Sequence, residues 1–139
     1  MRVSFANPNS NRVGAYVVFC SNEKKLSNSA LKLDGETKGA LKRALKVSQF
    51  MGKQGEILKV LAPPSKNISA IIIVGTGKIE NIDELVAERF GGAIFQALSS
   101  LRCKTGFILL DLLSGLKLGN AEFAAHVAYG CSLRSYRFD

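Results

Sequence analysis

Apolar positions along this chain follow two rhythms: short, nearly continuous runs, and longer stretches with a beat of three to four residues. Val3 and Phe5 alternate with Arg2, Ser4 and Ala6, which predicts a short first strand closed by the turn-forming cluster Asn7-Pro8-Asn9-Ser10-Asn11. Val13 to Cys20 (V-G-A-Y-V-V-F-C) is β-branched, aromatic and almost wholly apolar, the pattern of a strand buried on both faces beneath helices. Ser21 to Asp34 is polar and punctuated, and is expected to be a loop with a short helical turn. Glu36 to Phe50 has helical spacing: Ala40, Ala44 and Val47 recur with Leu41 and Leu45 alongside, while Lys38, Lys42 and Lys46 form a stripe on another face. Glu56 to Ala62 predicts a strand stopped by Pro63-Pro64, and Ala70 to Val74 (A-I-I-I-V) a central one.

Asn81 with Glu84 resembles a capping box. Val86, Phe90, Ala93, Ile94, Ala97 and Leu101 then make the stripe of a long helix. Gly91-Gly92 inside it implies close packing against a neighbour, since each glycine costs about 1 kcal/mol relative to alanine in a helix. Lys104 to Leu112 holds another apolar strand, and Ser114-Gly115 and Gly119-Asn120 bracket a loop before an Ala-rich helix from Asn120. That helix reaches Asp139 without the Gly, Asn or Pro that usually closes one, so it is expected to continue as part of a longer protein. The order is two strands, a helix, two strands, a helix, a strand and a helix. Long helices between buried strands predict an α/β fold of three layers (αβα) with a mixed central sheet.

Composition narrows the class. The 139 residues suit one domain, and 47% hydrophobic with 22% charged is ordinary for a globular chain. No apolar run approaches the roughly 20 residues of a membrane helix, and no secretory signal opens the chain. Cys20, Cys103 and Cys131 are odd in number and scattered, which reads as small buried hydrophobes in a reducing cytoplasm. The net charge of +8 fits either a polyanion-binding surface or lysines on solvated helix faces. The second reading is preferred, because no aromatic residues interleave with the lysines to stack on bases.

Candidate chemistry is sparse. Gly75-Thr76-Gly77-Lys78 after a buried strand suggests a phosphate loop, but Ile79 follows the lysine and Ile72 stands where the upstream glycine of a P-loop is needed. A dinucleotide fingerprint would need glycine at Glu80, so a tight strand-to-helix turn is the better account. His126, the sole histidine, has no second imidazole to share a metal and no evident nucleophile to activate. Glu80, Asp83, Glu84 and Glu88 cluster at the start of a helix, where carboxylates favour the dipole. No catalytic, cofactor-binding or metal-binding residue is assigned.

The block G-C-S-L-R-S-Y-R-F-D (Gly130 to Asp139) closely resembles the junction between the N-terminal and catalytic domains of the leucyl aminopeptidase, or cytosol aminopeptidase, family. G-A-L-K-R-A-L-K (Gly39 to Lys46), F-M-G-K-Q-G (Phe50 to Gly55) and I-I-V-G-T-G-K (Ile72 to Lys78) resemble family landmarks in the same order. The resemblance implies a macro-domain-like fold with a mostly parallel sheet. It implies that residues 1–139 are a single non-catalytic N-terminal domain, with 120–139 beginning the interdomain linker helix. It also implies a cytoplasmic parent enzyme that releases N-terminal residues, often Leu, from peptides. Such parents use two divalent metals, zinc with manganese or magnesium, held in a C-terminal catalytic domain around an N-T-D-A-E-G-R-L motif that this chain lacks. The domain's partners would be that catalytic domain and further copies in a hexamer, with DNA in some bacterial members and no membrane. Exposed apolar surface around Phe123, Val127, Leu133 and Phe138 is expected to be covered by the catalytic part. Alternative readings are a basic nucleic-acid-binding module and a macro-like domain that binds ADP-ribose or another nucleotide.

Overall fold

The computed structural model describes residues 1–6, 12–111 and 115–138, with backbone only at 137 and 138. The expected turn at Asn7–Asn11, along with Leu112, Ser114 and Asp139, lies outside the described residues. Five strands form one sheet in the order β1-β5-β2-β4-β3: β1 (Arg2–Ala6), β2 (Gly14–Ser21), β3 (Ile57–Leu61), β4 (Ile68–Gly77) and β5 (Thr105–Leu109). All neighbours run parallel except β3, which pairs antiparallel with β4 at one edge. The helices are α1 (Asn28–Glu36), α2 (Ala40–Val47), α3 (Glu84–Ser100) and α4 (Asn120–Phe138).

The period of two along the central strands builds both cores. Ala15, Val17 and Phe19 of β2, with Ala70, Ile72 and Val74 of β4, face α3 and α4 and pack with Phe90, Ile94, Phe123 and Val127. Tyr16, Val18 and Cys20, with Ile71 and Ile73, face the opposite way onto Ala30, Leu33, Leu41 and Leu45 of α1 and α2. Hence β2 and β4 read as continuous apolar runs: each alternate residue belongs to a different buried layer. The architecture is the expected three-layer αβα fold with a mixed, mostly parallel sheet.

Three local expectations are corrected. Asn28–Glu36 is a helix rather than part of a loop; Ser27 caps it, its side-chain oxygen accepting from Ala30 N at 3.2 Å. The stretch from Glu36 to Phe50 is not one helix, because Lys38 at φ 57° and Gly39 at φ 79° turn the chain before α2 begins. Lys38 therefore leaves the lysine stripe, and only Lys42 and Lys46 remain on α2. At α3 the cap is Asp83, whose carboxylate accepts from Val86 N at 2.9 Å, whereas Asn81 ends a 3-10 turn (Ile79–Asn81).

Candidate functional site

Open α/β sheets bind ligands at the carboxyl ends of parallel strands, and a cleft of about 360 Å³ lies there. The ends of β2 and β4 supply Phe19, Cys20, Ser21 and Thr76, the start of α1 supplies Ser27 and Asn28, and Asp111 follows β5. Asp111 decides what this cleft offers. Its Oδ2 accepts from Ser29 N at 2.7 Å, and its Oδ1 accepts from the Ser29 hydroxyl. A side-chain carboxylate thus stands at the α1 N-terminus, where the helix end would attract a bound anion. Sequence reasoning did not single out Asp111. Its signal, an acid closing an apolar strand, is ordinary, and its partner lies 82 residues away.

Gly75-Thr76-Gly77 is not a phosphate cradle, nor a strand-to-helix turn. It is the end of β4, and its amides are already bonded: Gly75 N donates to Glu56 O at 2.7 Å and Gly77 N to Gly52 O at 2.8 Å. Gly75 is small because the Gly52-Lys53 backbone lies against it; an added Cβ would sit 2.2 Å from Lys53 O. Lys78, the lysine of the apparent motif, is exposed at the start of the 3-10 turn.

His126 sits on α4 and reaches across to α3, its Nδ1 2.9 Å from Glu88 Oε2, with both side chains about a quarter exposed (29% and 24%). In the sequence Glu88 groups with Glu80, Asp83 and Glu84 at the helix start. In the fold it pairs with His126, Asp83 caps α3, and Glu80 and Glu84 are exposed. Among the described residues no group of three or more His, Cys, Asp or Glu side chains could hold a metal ion.

The His126–Glu88 pair flanks a crossing made close by glycine. At Gly91 a Cβ would lie 2.0 Å from Val127 O, and at Gly130 1.9 Å from Glu88 O. Cys131 adds a thiol donating to Gly91 O at 3.1 Å. Burial pushes the Cys131 thiol up to about 11 from 9.0, and burial likewise raises Cys20 to about 11. Cys103 is half-buried and its thiol is also raised by burial. Raised thiols are poor nucleophiles and poor ligands at neutral pH.

Among the described residues the titratable side chains meet at most in pairs such as His126 and Glu88, and the comparisons with known proteins supply the family. The profile described as "Cytosol aminopeptidase family, N-terminal domain" matches residues 17–139. The chain belongs to that family. Two relatives called "Probable cytosol aminopeptidase" align almost end to end with it. One from Rhodopseudomonas palustris (strain TIE-1) is 32% identical over 139 residues, covering 99% of this chain and 26% of the relative. One from Rickettsia rickettsii (strain Sheila Smith) is 34% identical over 143 residues, covering all of this chain and 28% of the relative. The chain therefore spans about a quarter of the length of the relatives it matches. A tomato leucine aminopeptidase mutant shares the fold, with a TM-score of 0.72 at 20% identity over 97% of this chain and 28% of that one. Among the described residues no helix is long and apolar enough to cross a membrane.

Proposed function

We propose that residues 1–139 are the non-catalytic N-terminal domain of a cytoplasmic leucyl aminopeptidase. In this reading the domain positions the catalytic part and takes part in building a homo-oligomer, a hexamer by family resemblance. The parent would release N-terminal residues, often Leu, from peptides. The observation that carries the reading is the family match over residues 17–139 in a chain a quarter the length of its relatives.

The chain's own chemistry supports the division of labour. Two divalent metals, zinc with manganese or magnesium, would polarise the scissile carbonyl and supply hydroxide when bound in the catalytic part. The described residues do not fit such a pair, because His126 and Glu88 face each other and no third His, Cys, Asp or Glu among the described residues joins them. No hydrolytic step is derived through them.

The test is to express the complete gene product and the same product lacking residues 1–139. The complete protein is expected to hydrolyse Leu-p-nitroanilide with manganese present and to run as a closed oligomer by light scattering. The shortened one is expected to lose oligomeric mass. A complete product without metal-dependent peptidase activity contradicts the reading, and unchanged mass on deletion contradicts the assembly role.

A further inference from the structure

The outer face of α4 is apolar where a surface helix is ordinarily charged. From Phe123 to Leu133 it contains no Lys, Arg, Asp or Glu, in a chain that is 22% charged. Its inner positions, Phe123, Val127 and Cys131, are buried among the residues of α3 and the sheet. Tyr129, Leu133 and Tyr136 recur at steps of four and three on the opposite side, exposed by 53%, 44% and 85%. Leu133 also lines a groove between α3 and α4, of about 360 Å³, with Leu85 on its other wall. The outer positions of α2, by contrast, carry Lys42, Arg43 and Lys46, with a single exposed apolar residue, Val47, at its end. Two opposed apolar stripes on one helix are the pattern of a helix covered on both sides.

We propose that this outer stripe is the seat of the C-terminal portion of the same polypeptide. The inference rests on the reading given under Proposed function. Relatives matched over 26% to 28% of their length carry a much larger remainder, and α4 is the last element here, with Tyr136 at its C-terminal end. A remainder that continues from α4 is tethered beside the patch, so its docking is intramolecular and needs little intrinsic affinity. A second copy of this chain is the weaker occupant. It would bear the full entropy of association, and two chains of net charge +8 repel each other.

The experiment compares thiol labelling in residues 1–139 and in the complete protein, using Tyr129→Cys, Tyr136→Cys and the control Lys46→Cys on α2. All three should label rapidly in residues 1–139, with far-ultraviolet circular dichroism unchanged. In the complete protein, labelling at 129 and 136 should slow at least tenfold while the control stays within twofold. Leu133→Glu supplies a second readout, lowering the thermal midpoint of the complete protein by several degrees more than that of residues 1–139. Equal labelling in both proteins overturns the proposal. So does concentration-dependent protection within residues 1–139, which would assign the face to a second copy. If the complete protein is an active peptidase yet labels freely at 129 and 136, the docking face fails while the aminopeptidase reading stands. If it has no peptidase activity, that reading fails on its own assay.

Discussion

At the crossing of α3 and α4, three glycines have different duties. Gly91 and Gly130 each lie against backbone of the other helix, at 2.0 and 1.9 Å from where a Cβ would stand, whereas Gly92 has only Gly130 O at 4.0 Å. Backbone cannot rotate away as a side chain can, so Gly91→Ala or Gly130→Ala must push the helices apart. The expected loss is about 2–4 kcal/mol by urea denaturation. Gly92→Ala should instead be neutral or stabilise by up to about 1 kcal/mol, through helix propensity alone. Equal effects at Gly91 and Gly92 would contradict the packing described. The thiols give a second residue-scale expectation. Cys103 should react with a disulfide reagent at pH 8 at least tenfold faster than buried Cys20 and Cys131. Because burial holds those two thiols near 11 against 9.0 unburied, the folded chain keeps protons that the unfolded chain releases. Their contribution to stability is full below pH 9 and is lost as pH rises towards 11. The thermal midpoint should therefore fall across that window, and fall less in a Cys20→Ala, Cys131→Ala double variant. An identical decline in both proteins would count against the assignment.

Among the elements, α1 depends on a partner distant in sequence. Asp111 holds both the amide and the hydroxyl of Ser29, which is 2% exposed, and adds negative charge at the helix N-terminus. Asp111→Ala should cost about 1–2 kcal/mol, the range for losing a cap with a partly buried donor. Added phosphate or sulfate should recover part of the loss, whereas an unaltered denaturation midpoint would show that the contact has no weight. This helix also marks where the sequence was hard to read. Asn28–Glu36 has its apolar positions at Ala30, Leu33 and the exposed Leu31, interrupted by Lys32, Asp34 and Gly35, so its periodicity is weak. Tertiary contact with Asp111 and the sheet sustains it. The inner strands β2, β4 and β5 were legible because burial on both faces leaves runs such as A-I-I-I-V that few other arrangements explain. The half-exposed edge strands β1 and β3 showed as short apolar stretches closed by turn residues and prolines. β4 reaches three residues further than its apolar run suggested, since Gly75 and Gly77 pair with Cys20 and Ser21 across a bulge that skips Thr76. Gly91-Gly92 implies close packing against a neighbour without saying which; the neighbour is α4, reached through Gly91, and its own Gly130 carries no such signal in the sequence. Phe123 and Val127 were expected on an exposed face and instead lie in the core. Of that expected patch Leu133 remains exposed, joined by Tyr129 and Tyr136, while the side chain of Phe138 lies outside the described residues.

For the whole molecule, a polar group at each suggestive position is already used within the fold. The strand-end amides bond a neighbouring loop, the α1 terminus holds Asp111, and the lone histidine faces Glu88. The charge of +8 is carried in part by exposed lysines such as Lys42 and Lys46, which contact none of these positions in the described hydrogen bonds through their side chains. Under the proposed function such a domain would hold and present other parts of the protein, with the chemistry elsewhere in the polypeptide. The most direct measurement is turnover of Leu-p-nitroanilide by purified residues 1–139 with manganese or zinc added. The account predicts none above the metal-only blank, at a protein concentration where the complete enzyme gives a clear rate. Metal-dependent turnover that follows the concentration of residues 1–139 would contradict it.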